Sequence, residues 1–257
     1  MLEAAHLYYS YHHDDHYAAE DISFNIAPGE ILGFLGPSGA GKSTVQKLLT
    51  GILPLQRGSA LIDGREIKKS HSELFNLIGV SFEQPNVYKK LSGLENLEFH
   101  RRMYGVPTAD PVKLLHLVGL GSDLHKKAGE YSKGMLQRLV FARSMLNNPR
   151  MWFLDEPTAG LDPATVKTIK DIIRAKQEEG VTIFLTTHNM FLADEICDNI
   201  AFLNEGQILA MDTPKKLKLK YGSYSVNVEY RKDKKILTEL FFLDKDEEKN
   251  EFEEGTV

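Results

Sequence analysis

The chain is poor in cysteine, has no long apolar run and carries no excess of positive charge. Its one cysteine, Cys197, lies in a helix-like stretch. It reads as a free, buried, inert thiol, in keeping with a reducing compartment. No apolar run approaches the roughly 20 residues that a membrane-crossing helix needs. The opening Met1-Leu2-Glu3-Ala4-Ala5-His6 lacks a basic stretch and an apolar stretch, so no signal peptide is expected. A net charge of -5 makes no broad basic field, and nucleic acid is not expected as a partner. There is no internal repeat and no heptad stretch, which argues against a duplicated domain or a long coiled coil. What remains is 257 residues, 42% hydrophobic and 26% charged, enough for one large globular domain or one with a subdomain.

Against that background one stretch stands out. Gly36-Pro37-Ser38-Gly39-Ala40-Gly41-Lys42-Ser43-Thr44 matches G-x-x-x-x-G-K-[ST], the phosphate-binding loop called Walker A. The apolar Ile31-Leu32-Gly33-Phe34-Leu35 before it reads as a buried strand, and Val45, Leu48 and Leu49 after it keep helical spacing. Strand, glycine loop and helix start together aim backbone N–H groups and a helix dipole at one point. Lys42 is expected to reach the β- and γ-phosphates, and Ser43 Oγ to hold Mg²⁺.

Met151-Trp152-Phe153-Leu154 is a second apolar strand, and it ends in Asp155-Glu156. Mg²⁺ favours hard oxygen ligands, so Asp155 is placed to hold it directly or through water. Glu156 is placed to orient and polarise the attacking water. A third strand, Val181 to Leu185, runs through Thr186-Thr187 to His188, which can donate to the γ-phosphate. Far from the loop, Ser132 is a good N-cap and Gly134 permits close backbone approach, a second anion site at a helix start. One loop already satisfies one triphosphate. The second site is therefore read as serving a nucleotide bound by another subunit.

The rest of the chain supplies the frame. Leu2 to Tyr11 reads as a strand, and Asp21 to Ile26 alternates Ile22, Phe24 and Ile26 inward before a turn at Pro28-Gly29. Between them, Tyr11-His12-His13-Asp14-Asp15-His16-Tyr17 holds metal-ligand residue types but reads as a solvated loop. Ser59 to Ile62 and Ile78 to Phe82 are further strands. Ser92-Gly93-Leu94-Glu95 fits a capping box, and residues 91–148 carry no strand signal. Pro163 opens a helix that Gly180 ends. Ile200 to Leu203 and Gln207 to Met211 flank the turn signal Asn204-Glu205-Gly206. Lys215 to Lys220 is a lysine-rich helix, Ser223 to Tyr230 a strand, and Asp244 to Glu254 an acidic, solvated tail. Strands alternating with helices predict an α/β fold: a P-loop NTPase core with a mainly parallel sheet, an antiparallel β subdomain and an all-helical subdomain. Ligands bind such sheets beyond the carboxyl ends of the strands, where Gly36, Glu83, Asp155 and His188 all stand.

Over roughly Leu2 to Leu219 the sequence resembles the ATPase subunits of ABC transporters. Gly36 to Thr44 resembles their Walker A, and Phe153-Leu154-Asp155-Glu156-Pro157-Thr158 their Walker B with its catalytic glutamate. Tyr131-Ser132-Lys133-Gly134-Met135 is similar to their signature motif, usually Leu-Ser-Gly-Gly-Gln. Ala159-Gly160-Leu161-Asp162 is similar to their D-loop, His188 to their switch histidine, and Tyr11 stands where an aromatic ring stacks on adenine. The resemblance implies ATP and Mg²⁺ as cofactors and a head-to-tail pair of ATPase subunits, homodimer or heterodimer. Each ATP would lie between Walker A of one subunit and Ser132 and Gly134 of the other. It also implies a separate integral membrane permease, contacted through the helical insert and the loop at Glu83-Gln84, and a place on the cytoplasmic face of the cell membrane.

Two departures are informative. Lys133 and Met135 replace a glycine and a glutamine of the signature, a form similar to the branch that exports drugs, lantibiotics or polysaccharides. At the Q-loop, Glu83 stands where the family's glutamine is common and Gln84 follows, so either could reach Mg²⁺ and water. A P-loop kinase would leave Ser132, the D-loop and His188 unexplained. A regulator without turnover would not need Glu156 and His188. The expected layout is an ATPase domain over residues 1–221, with its helical subdomain near 91–148, and a short extension over 222–257.

Overall fold

The structure is a computed structural model that describes residues 1–12, 16–67, 71–222, 224–232 and 235–243. The chain forms two compact units, Met1–Pro214 and a smaller one from Lys215 onward. That division falls a few residues ahead of the boundary expected at 221.

The first unit begins with strands β1 (Leu2–Tyr9) and β2 (Ala19–Ile26), an antiparallel pair that buries Leu2, Leu7, Ile22 and Ile26. The loop strand β3 (Ile31–Leu35) is buried at every position, and helix α1 (Lys42–Leu49) follows the glycine loop. β4 (Arg57–Ile62) returns to pair with β1, and Asp63-Gly64, both at positive φ, turn it into the two-residue β5 (Arg65–Glu66). Helix α2 (His71–Leu77) then leads to β6 (Ile78–Ser81).

Residues 91–148 contain helices α3 (Gly93–Arg101), α4 (Pro111–Leu117) and α5 (Lys133–Arg143), joined by loops and short 3₁₀ turns. The capping box is formed as expected. Ser92 Oγ accepts the Glu95 N–H at 3.1 Å, and Glu95 Oε2 accepts the Ser92 N–H at 2.7 Å. These bonds hold the Glu95 carboxyl below its ordinary range. Asp110 caps α4, with Pro111 in its first turn. Helix α5 stops at Arg143.

The sheet resumes with β7 (Met151–Asp155), helix α6 (Pro163–Glu178), β8 (Thr182–Thr187), helix α7 (Met190–Ile196) and the hairpin β9 (Asn199–Asn204) with β10 (Gln207–Asp212). The strands make a four-stranded antiparallel sheet, β2-β1-β4-β5, and a six-stranded sheet, β10-β9-β3-β8-β7-β6. In the latter all neighbours are parallel except β9 and β10. β3, β7 and β8 are buried at every position, which is why β3 and β7 read as apolar runs rather than alternations. An aromatic cluster ties the two sheets together. Phe24 of β2 lies 4.9 Å from Phe34 of β3, which lies 4.7 Å from Phe184 of β8. Each such ring contributes roughly 1.5–3 kcal/mol when fully buried. Cys197 is buried as expected, close against Gly33, and burial pushes its thiol far up from its ordinary value.

Helix α8 (Pro214–Tyr221), whose first residue ends the first unit, precedes strands β11 (Tyr224–Lys232) and β12 (Lys235–Leu243) of the second. They form an antiparallel hairpin that sets Tyr224 opposite Leu243 and Lys232 opposite Lys235. The acidic tail and His13-Asp14-Asp15 lie outside the described residues.

Candidate active site

Buried β3 ends at Leu35 and delivers the glycine loop to the carboxyl edge of the six-stranded sheet. Two glycines are sterically required. A Cβ on Gly36 would lie 2.2 Å from Leu203 O, and one on Gly41 would lie 2.2 Å from Ala18 O. Gly41 also has φ 101° and caps α1 without any side-chain acceptor. The first-turn N–H groups of α1 thus keep their hydrogen-bonding capacity for a ligand. Lys42 is buried, and its Nζ donates to Gly36 O at 2.7 Å and Pro37 O at 3.0 Å. The ammonium therefore sits within the loop that it is expected to share with phosphate.

β7 and β8 place the carboxylates beside this loop. Ser43 Oγ donates to Asp155 Oδ1 at 3.2 Å, and Thr186 Oγ1 donates to the same oxygen. Glu156 leaves the strand at φ 47°, a left-handed backbone rare outside glycine and held by its N–H bond to Thr186 O at 3.0 Å. Its carboxylate accepts from Thr187 Oγ1 at 3.1 Å and from His188 Nδ1 at 2.8 Å. Both carboxylates are buried, so these donors offset a desolvation cost that would otherwise be large. An ionised carboxylate only accepts, so Nδ1 of His188 carries a hydrogen, which leaves Nε2 of the neutral ring an acceptor. Donation from Nε2 then needs the doubly protonated ring or release from Glu156.

These groups border a cavity of about 770 Å³. Its walls include Tyr11, Pro37, Ser38, Gly39, Ala40, Gly41, Lys42, Ser43, Thr44, Asp155, Glu156 and His188, all named from the sequence. Gly36 stands behind the wall, with its carbonyl turned to Lys42. Tyr11 is half exposed; its hydroxyl lies 3.1 Å from Thr44 Oγ1 and its ring meets Tyr9 edge-on. Glu83 lines the cavity and Gln84 does not. Sequence reasoning missed Ala18 and Lys47, which also line it. Lys47 was detectable in principle, because it follows Ser43 by one helical turn on α1.

The other expected residues lie elsewhere. Ser132, Gly134 and Asp162 are absent from the cavity wall. Ser132 is exposed, and its Oγ accepts the Met135 N–H at 3.2 Å. A Cβ on Gly134 would sit 3.4 Å from Leu161, so the signature and D-loop stretches touch each other. Asp162 caps α6, accepting from Thr165 N–H at 3.0 Å and from Thr165 Oγ1 at 2.6 Å. Those two bonds hold its carboxyl below the usual aspartate range.

A family model described as ABC transporter matches residues 19–159. The chain belongs to the ABC transporter family. Within it, this chain is an ATP-binding and ATP-hydrolysing cassette. It is 51% identical over 216 residues to a fluoroquinolones export ATP-binding protein of Mycobacterium tuberculosis, covering 84% of this chain and 72% of that one. It is 37% identical over 189 residues to the lantibiotic transport ATP-binding protein SrtF of Streptococcus pyogenes, covering 74% and 81%. Among solved structures, an ATP-binding subunit of an ABC transporter superposes with a TM-score of 0.79 at 27% identity, over 86% of this chain and 93% of that one. A dimeric, post-hydrolysis ATP-binding cassette bound to ADP and Pi superposes with a TM-score of 0.76 at 26% identity, over 83% and 99%. Among the described residues, no helix of this ABC cassette is long and apolar enough to cross a membrane.

Proposed function

We propose that this cassette hydrolyses ATP in a site of which it builds only one half, and that closure of two ATPase subunits powers a separate membrane permease. One observation carries the reading: the cavity wall holds Lys42, Ser43, Asp155, Glu156 and His188 but neither Ser132 nor Gly134. The missing half then comes from a second subunit, whose Ser132 and Gly134 cover the phosphates. The dimeric cassette bound to ADP and Pi supports this arrangement.

Each residue has a role in that scheme. Lys42 exchanges the Gly36 and Pro37 carbonyls for β- and γ-phosphate oxygens. Ser43 Oγ and Asp155 Oδ1, 3.2 Å apart and both hard oxygen donors, fit a Mg²⁺ site. The ion, when bound, neutralises charge on the phosphates. Glu156 orients the attacking water, His188 contacts the γ-phosphate, and Tyr11 stacks on adenine. Asp162 belongs to the subunit contact. Glu83, rather than Gln84, is the loop residue that reaches toward the ion and water, because it borders the cavity.

The permease meets the helical insert and the loop at Glu83-Gln84, which places the cassette peripherally on the cytoplasmic face of the membrane. Export is the favoured direction, since the relatives just described carry export and transport in their names and the Tyr-Ser-Lys-Gly-Met signature of this chain resembles the export branch. The test is the dependence of turnover on protein concentration. Specific activity should fall on dilution as pairs separate. Turnover that stays constant for a strictly monomeric cassette would sink the proposal.

A further inference from the structure

Asp155 is in register with Thr186 across β7 and β8, so the Asp155-Glu156 pair faces the Thr186-Thr187 pair. Each hydroxyl serves one carboxylate: Thr186 donates to Asp155 and Thr187 to Glu156 Oε2 at 3.1 Å. Thr187 Oγ1 also accepts the Asn189 N–H at 3.0 Å. An N–H can only donate and a carboxylate can only accept, so the Thr187 proton has a single destination. Thr187 is wholly buried, which removes water as a competitor for that bond. Its counterpart on Glu156, His188, has a side chain 69% exposed and borders the cavity. When His188 turns to a phosphate, Thr187 is the tether that stays.

We infer that Thr187 is the positioning residue for Glu156. It fixes the carboxylate's Oε2 edge and, through Asn189, ties the Glu156 side chain to the first turn of α7. This rests on reading Glu156 as the group that orients water.

Steady-state ATPase assays on the full chain, paired with ATP titrations by fluorescence, test it. Thr187→Val should lower kcat about 10-fold, the scale of a slightly misplaced catalytic group, with ATP affinity within about twofold of wild type. Thr187→Ser should restore most of the rate. In a Glu156→Gln background, Thr187→Val should cost nothing more. If Thr187→Val does not fold, comparing Thr187→Ala with Thr187→Ser makes the same decision. Wild-type kcat in Thr187→Val beside an inactive Glu156→Gln overturns the inference and leaves the role of Glu156 standing. An equal fractional loss in both backgrounds also overturns it. Full activity in Glu156→Gln overturns the reading of Glu156 itself.

Discussion

Helix α1 starts at Gly41 with no side chain to cap it, whereas α5 starts at Ser132, whose Oγ accepts the Met135 N–H at 3.2 Å. The first opens onto a cavity whose walls already hold Lys42, Ser43, Asp155 and Glu156. The second is exposed and satisfied locally. An uncapped helix start among convergent groups is prepared for an anion by its own chain. A capped, exposed start is stable alone and gains a ligand only when another molecule brings one. In the arrangement proposed above, the two ends would be halves of one device that moving subunits close and open.

The contrast can be broken most sharply at the cavity end. Glu156→Gln should retain ATP binding but lose at least about 10²-fold in turnover, the scale of a lost general base. It should also accumulate as an ATP-bound dimer in size-exclusion chromatography. Unchanged ATPase would remove Glu156 from the chemistry. Lys42→Ala should weaken triphosphate binding by roughly 10-fold or more, because a charge-assisted bond is lost. Intact affinity in a fluorescence titration would contradict the loop assignment.

Ser132→Ala sharpens the comparison at the other end. It should destabilise α5 by about 1 kcal/mol through the lost cap and reduce turnover several-fold. ATP affinity of the isolated chain should stay unchanged. A matching loss of single-chain affinity would mean that the two helix starts share one pocket within one molecule.

The smallest effect concerns Asp162. The Thr165 bonds lower its folded pKa, so the α6 cap contributes fully above the ordinary aspartate value and is lost as pH falls through the depressed one. Thr165→Val should move that titration upward, as read by carboxyl-carbon NMR. No movement would show that the Thr165 hydroxyl does not set it.

Much of this was legible because it is local. Gly36 to Thr44 declares itself by spacing, and Ser92 with Glu95 forms the box that its sequence describes. The buried strands β3 and β7 were readable from their apolar runs. What escaped depends on neighbours distant in sequence. Thr186 and Thr187 look like ordinary β-branched strand residues until the parallel register sets them against Asp155 and Glu156. Strand β5 has two residues, too few for any alternation to register. Strand β12 pairs with β11, and that pairing is not written in its own composition. Nothing in Glu83-Gln84 says which side chain turns inward, because Pro85 makes the loop irregular.

The close contacts around the glycine loop have a consequence for the order of events during synthesis. Ala18 O and Leu203 O crowd Gly41 and Gly36, and Gly206 N–H donates to Ala40 O at 3.1 Å. The loop is translated early, but its outer wall arrives with a turn made far later. A nascent chain leaving the ribosome should therefore acquire ATP affinity late, once Gly206 has cleared the exit tunnel. Stalled chains that end before β9 should capture nucleotide poorly although every residue of the motif is already present.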